Sequence, residues 1–266
     1  MKKKSAGSIA VMLIVMIYLL IPLVISIIYS MFHKWTGILP EGFSLDNYTS
    51  LFSDANFLSS VGRSIGMCIV PIILTIIIVL LALFVTTIYF PKLEKYVQII
   101  CMIPYTIQGV ILSVSILSLY VGTKSILSNR LVMLMGAYCI VILPYIYQGI
   151  RNGMRAVNML TLIEAAEMLG ASKIYAFFRV VVPNIISAII VSSLLAVGII
   201  FGDYVLIRNL AGTSAPNMQI FLYQTMKSDS TKASAVFVII MFVTFVITAI
   251  VLFLKSREGR GRAQKK

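Results

Sequence analysis

Uncharged, strongly apolar stretches recur six times along the 266 residues, at 5–32, 64–91, 96–123, 131–150, 180–202 and 233–254. Each can cross a hydrocarbon layer about 30 Å thick as a helix rising 1.5 Å per residue. The pattern predicts an all-α polytopic membrane protein, one domain over 1–266, with spans at about 9–30, 64–90, 96–120, 131–150, 181–202 and 234–254. A seventh uncharged stretch, 209–226, carries Gly212, Thr213, Ser214, Pro216, Asn217, Gln219 and Gln224. Facing lipid, those residues cost too much, so it is expected to be a loop or to line a polar cavity. Pro22, Pro71, Pro104 and Pro144 fall inside predicted spans and are expected to kink them.

Composition agrees with the pattern: 60% of residues are hydrophobic and 12% charged, against about 45–50% and about 25% in soluble domains. The net charge of +13 raises the question of nucleic acid, but Lys and Arg gather between apolar runs and at both tips. No basic face interleaved with aromatics forms, so nucleic-acid binding is not expected. The same charges set an orientation. With the N-terminus inside, fifteen of the 22 Lys and Arg fall on the cytoplasmic side, so both termini are expected there. Trp35, Tyr29, Tyr89, Tyr96, Tyr120 and Tyr204 stand near span ends, where rings anchor at the lipid–water boundary. Cys68, Cys101 and Cys139 are odd in number and without C-x-x-C spacing, and His33 is the sole histidine, so neither a disulfide framework nor a metal site is expected. Lys2–Lys4 before an apolar run looks like a signal peptide, but the run is too long for a signal core and is expected to stay as the first helix.

One loop between spans is patterned unlike a linker. Within about 151–183, Thr161 to Glu164 reads T-x-x-E, which predicts a capping box and a helix starting there. Leu162, Ala165, Ala166 and Leu169 follow as an apolar stripe, Gly170 offers a stop, and Ser172 can cap a second helix running through Tyr175, Phe177 and Phe178. Alanines at 165 and 166 would keep one face flat for the close approach of another protein. An interfacial helix lying on lipid fits the same residues.

Glu164-Ala165-Ala166, then Gly170 after three residues, Val180 after nine more and Val182-Pro183, resembles the EAA loop of permease subunits of binding-protein-dependent ABC importers, read E-A-A-x3-G-x9-I-x-L-P. Val180 and Val182 stand where that family has Ile and Leu. The resemblance implies the type I importer fold, no catalytic residue and no cofactor on this chain, with ATP and Mg on a cytoplasmic pair of ATP-binding subunits. It also implies a second permease, expected to be a different subunit, an extracytoplasmic substrate-binding protein, and a place in the bacterial inner membrane. Glu164, Ala165, Ala166, Leu169, Gly170 and Pro183 would form the ATPase-coupling element.

The segments 201–206, 210–212 and 219–220, with 39–48, are similar to permeases of the polyamine, ferric-iron and phosphonate group, which implies polyamine-type uptake; a sugar importer is the alternative. Asp203, Tyr204, Gln108, Gln148 and Asn184 are the candidate residues along a substrate path. Asp203 at a span end suits a cationic amine through a charge-assisted hydrogen bond, and equally suits plain solvation at an interface. An integral-membrane enzyme lacks a His or acidic cluster and a G-x4-G-K-[ST] loop here. An ion-coupled carrier lacks a carboxylate deep in a span.

Overall fold

The computed structural model describes residues 6–34, 41–107, 109–124, 126–212 and 214–263. In chain order the elements are α1 (Ala6–Ser30), β1 (Phe32–Lys34), β2 (Glu41–Phe43), α2 (Asp46–Phe52), α3 (Ala55–Ile88), α4 (Glu94–Met102), α5 (Gly109–Tyr120), α6 (Arg130–Ala156) and α7 (Met159–Met168). There follow α8 (Lys173–Ala176), α9 (Val182–Asn184), α10 (Ile186–Phe201), α11 (Val205–Leu210), α12 (Met218–Ser228) and α13 (Ser230–Ala263). The hairpin of β1 and β2, pairing Phe32 with Phe43 and Lys34 with Glu41, has no counterpart in the sequence-based expectation.

Among the described residues, four helices are long and apolar enough to cross a bilayer unaided: Val11–Ser30 of α1, α3, α6, and Ser230–Ile250 of α13. Two bent pairs, Pro91–Thr106 with α5 and Lys173–Asn184 with α10, the latter bent by 66°, bring the number of crossings to six if each pair is one broken span. These pairs lie where the third and fifth spans are expected. A proline, which lacks the N–H that continues a helix, lies within three residues before each break. Pro104 lies in a 3₁₀ turn, Ile103–Thr106, after which Ile107 is extended, so it is not inside a continuous span as expected. Pro183 lies in α9, and Ile185 at φ −108°, ψ 8° separates α9 from α10, so the straight helix begins at Ile186 and not at 181. Pro22, Pro71 and Pro144 sit within unbroken helices.

The helix that carries the second expected span begins ahead of it. It runs from Ala55, because Arg63 interrupts the apolar pattern without interrupting the helix. Its Nε donates to the Pro216 carbonyl at 2.8 Å, which satisfies the cation where the pattern implied exposure.

Two compact units divide the chain. One comprises Met1–Val61 with Phe221–Val243, the other Gly62–Ile220 with Thr244–Lys266. In the first, Asn47 Nδ2 donates to the carbonyls of Ser30 and Phe32 at 3.1 and 3.0 Å, pinning α2 to the end of α1. Phe57 is buried and meets Phe52 and Phe221 at ring separations of 6.1 and 5.6 Å. Asp229 caps α13: its Oδ1 accepts from the amides of Thr231 and Lys232, both at 3.0 Å, and from the Thr231 hydroxyl at 2.8 Å. Burial pushes the Asp229 carboxyl up, but these donors outweigh it and hold it below the usual carboxylate range. Asp54 shifts the same way: slight burial raises it, the Asn56 amide and the Lys232 ammonium at 3.4 Å lower it further. Along α1, Val11 to Leu20 are all exposed, as an apolar helix facing lipid or another chain must be.

The second unit is built on α6 and α10. Leu134, Ala137, Ile142, Ile146, Tyr147 and Ile150 of α6 are fully buried. Gly149 and Gly153, a G-x3-G pair, meet Ser192 and Ala188 of α10 so closely that a Cβ on Gly153 would stand 2.6 Å from Ala188 Cβ, and one on Gly149 would collide with Ser192. Ser192 Oγ donates to the carbonyl of Ala188 at 2.9 Å, so this polar side chain enters the contact satisfied. The uncharged stretch 209–226 takes in the end of α11, a turn and most of α12, and two of its polar side chains are paired: Asn209 Nδ2 donates to Ser113 Oγ at 2.7 Å and Asn217 Oδ1 accepts from the Ile220 amide at 2.9 Å.

Candidate functional site

A left-handed residue opens the loop after α6. Asn158 takes φ 49°, an unusual conformation for which asparagine is among the better-suited side chains, and α7 begins at once. The predicted capping box is therefore displaced: α7 starts at Met159, two residues before Thr161, and Leu162 N donates to the Asn158 carbonyl at 3.2 Å. Turning the chain at 158 leaves Thr161 already inside the helix. Gly170 behaves as its type predicts. At φ +87° it lets its own amide reach Glu167 O at 2.9 Å and the Ala171 amide reach Ala166 O at 3.0 Å, closing the last turn. Ser172 then caps α8 by accepting from the Tyr175 amide at 3.3 Å.

The expected stripe does not form a single face. Met159, Ile163 and Ala166, spaced i, i+4, i+7, are the buried side of α7, while Ala165 is exposed and Leu162 half-buried. Adjacent helical residues stand about 100° apart, so Ala165 and Ala166 cannot both offer a flat outer surface. Outside lie Glu164, Ala165, Met168 at 89% exposure and Leu169 at 90%, and the Glu164 carboxylate has no partner among the described residues. Phe177, fully buried, fixes the following turn through Phe84 and Phe178 at ring separations of 4.8 and 5.2 Å. Pro183 is exposed at the bend before α10.

Sequence reasoning used Arg151 and Arg155 only as orientation charges, and the structure gives them a second role. Arg151 Nε and Nη2 donate to Glu94 Oε1 at 2.9 and 2.7 Å, and Arg155 approaches the same oxygen at 3.5 Å. This pairing ties the start of α4 to the last turns of α6. Beside it a cavity of about 370 Å³ reaches from Leu83 and Thr87 of α3 to Asn158 and Thr161, so the loop sits next to free space. An acidic residue opening a helix after a Pro-Lys-Leu turn was the visible signal for the pair.

The path candidates separate. Gln148 and Asn184 line one groove of about 340 Å³ between α6 and α10, with Tyr145, Asn152, Ser187 and Ser192. Asp203 is elsewhere: Tyr138 OH donates to its Oδ2 at 3.2 Å, Ile207 N to Oδ2 at 3.3 Å and Leu206 N to Oδ1 at 3.4 Å, which caps α11. Tyr204 leads into α11, its carbonyl accepting from Arg208 N at 2.9 Å. Gln108 lies outside the described residues, as do Trp35 and the residues 39–40 of the early resemblance. Among the described residues no group of three His, Cys, Asp or Glu side chains could hold a metal. Sequence reasoning missed Asn152 and the close α6–α10 contact, although the G-x3-G spacing of 149 and 153 was there to be read.

Residues 92–258 match the family described as binding-protein-dependent transport system inner membrane component. The chain belongs to that family. The permease is thus the membrane part of a binding-protein-dependent ABC importer, and it is not an enzyme. Two solved structures share its fold. One is a bacterial ABC transporter involved in the import of the acidic polysaccharide alginate, at 19% identity and TM-score 0.65, covering 94% of each chain. The other is a bacterial alginate ABC transporter in complex with an alginate pentasaccharide-bound periplasmic protein, at 17% identity and TM-score 0.63, covering 95% of the permease and 94% of that chain. No curated protein matches the permease sequence.

Proposed function

We propose that this permease takes up solute handed over by an extracytoplasmic binding protein, driven by a cytoplasmic ATPase pair that docks on α7. One observation carries the reading: the bundle buries Met159, Ile163 and Ala166 while Met168 and Leu169, among the largest exposures in the chain, end the same helix without a partner. Large apolar side chains held outward on a fixed base are what a protein groove requires. Glu164 and Ala165 supply a polar contact and close approach on that outer side, Gly170 the tight exit, and Pro183 the bend toward α10. ATP and Mg belong to the ATPase, whose closure would carry α7 and, through α6, the spans. A second permease completes the pathway, with both termini on the cytoplasmic side of the inner membrane.

Two cargo classes have support. The likeness to alginate importers favours a saccharide, and the resemblance around 201–220 favours a polyamine. Replacing Leu169 with Asp tests the docking directly. The ATPase should cease to co-purify and uptake should stop, with membrane insertion unchanged. Co-purification and uptake at wild-type levels in Leu169→Asp would return α7 to the role of a helix lying on lipid.

A further inference from the structure

The groove between α6 and α10 discriminates between those cargo classes by its chemistry. Its polar side chains are three amides, Gln148, Asn152 and Asn184, and three hydroxyls, Tyr145, Ser187 and Ser192, and among the described residues no Asp, Glu, Lys or Arg lines it. Several are unspent. Asn184 uses Nδ2 on the Val180 carbonyl at 2.8 Å, leaving its Oδ1, and Gln148 Nε2 meets only the Met102 sulfur at 3.4 Å. Within the chain, no hydrogen bond engages the side chains of Asn152 or Ser187 among the described residues. Tyr145 stands at one end with its ring edge-to-face on Tyr105 at 5.0 Å, so an aromatic surface borders the amides.

A diamine or polyamine entering this groove would give up hydration with no carboxylate to receive it, and desolvating an unpaired cation is costly. The one candidate carboxylate, Asp203, does not line the groove. An acidic sugar meets the mirror-image difficulty, because no cation lines the groove. Amides and hydroxyls that both donate and accept, next to an aromatic ring, match instead a solute with many hydroxyl groups and no charge. The volume of about 340 Å³ falls within the range of about 300–1,000 Å³ typical of small-molecule sites.

We propose that the α6–α10 groove is a contact site for an uncharged, hydroxyl-rich solute, a neutral saccharide or polyol, as it passes through the permease. This rests on the importer reading above. The test is uptake of labelled neutral solutes (glucose, maltose, xylitol), polyamines (putrescine, spermidine) and an acidic alginate oligosaccharide by host cells with and without the chain. A tenfold or larger loss confined to the neutral class is the expected result. Asn152→Asp and Gln148→Glu should then each lower neutral-solute uptake at least fivefold, while Asn152→Gln retains most of it and the co-purifying ATPase is unchanged. Loss confined to polyamines or the acidic oligosaccharide, or in no class, overturns the proposal, as does wild-type uptake in both acidic variants. So does loss of the second permease from the purified complex in those variants, which would make the groove a helix-packing face. A wild-type chain that brings down no ATPase would instead overturn the importer reading itself.

Discussion

Single glycines set the tolerances of this molecule. Gly149→Ala or Gly153→Ala would drive a methyl into Ser192 or Ala188, and over-packing of this kind costs about 1–3 kcal/mol. The expected outcome is a lower melting temperature in detergent, with Ser192→Gly restoring part of the loss in the Gly149→Ala background. Gly170 differs. A Cβ there meets nothing within 4 Å, so bulk is tolerated inside the chain and only the left-handed backbone resists, by about 1–2 kcal/mol for an L-residue. Gly170→Ala should therefore insert normally and lose uptake, with a stability loss no greater than that backbone strain; a thermal shift larger than that of Gly149→Ala would contradict this. The sequence announced Gly170 through its position after an apolar helix. It concealed the burial of Ala166, because composition treats neighbouring alanines alike and only the packed helix assigns them to different sides.

Between elements, polar groups decide what moves with what. Arg151, at 15% side-chain exposure, and Glu94, at 28%, hold α4 to α6 more tightly than a surface pair could. Breaking a fully buried pair costs about 3–5 kcal/mol, so the partly exposed Glu94→Gln should cost about 1–3 kcal/mol by thermal denaturation. The exchange Glu94→Arg with Arg151→Glu should recover part of that cost. The Asp229 cap makes a pH prediction. Its folded carboxyl lies below the unfolded value of about 3.8, so its contribution is complete above that pH and is lost as pH falls through the lowered folded value. Asp229→Ala should cost about 1 kcal/mol at neutral pH and nothing at the acid end of a melting series. Among element boundaries, the start of the second long helix was hidden: Arg63 interrupts the apolar pattern of a helix that runs from Ala55 to Ile88. The breaks at Pro104 and Pro183 were foreseeable as weak points, but a proline in a sequence does not say whether its neighbours will bridge the gap or let the axis turn.

For the molecule as a whole, a bundle of long apolar helices was legible because bilayer thickness acts on long segments, and the imbalance of Lys and Arg sets the expected orientation. The imbalance predicts that a cysteine placed at Lys95 or Ser172 reacts with a membrane-impermeant thiol reagent only from the cytoplasmic face, and one at Asp54 only from the opposite face. Labelling of Lys95 and Ser172 from outside and of Asp54 from the cytoplasm would reverse the orientation. The substrate path was less legible. Which amides share a cavity depends on the crossing of α6 and α10, and Asp203, the most conspicuous candidate by charge, lies apart from them and accepts from the amides that open α11. That crossing has a mechanical consequence. With Gly149 over Ser192 and Gly153 over Ala188, a slip by one turn would set side chains against side chains, so the two helices behave as a keyed shaft: a push delivered at one end must arrive at the other as displacement of the whole, since sliding is barred.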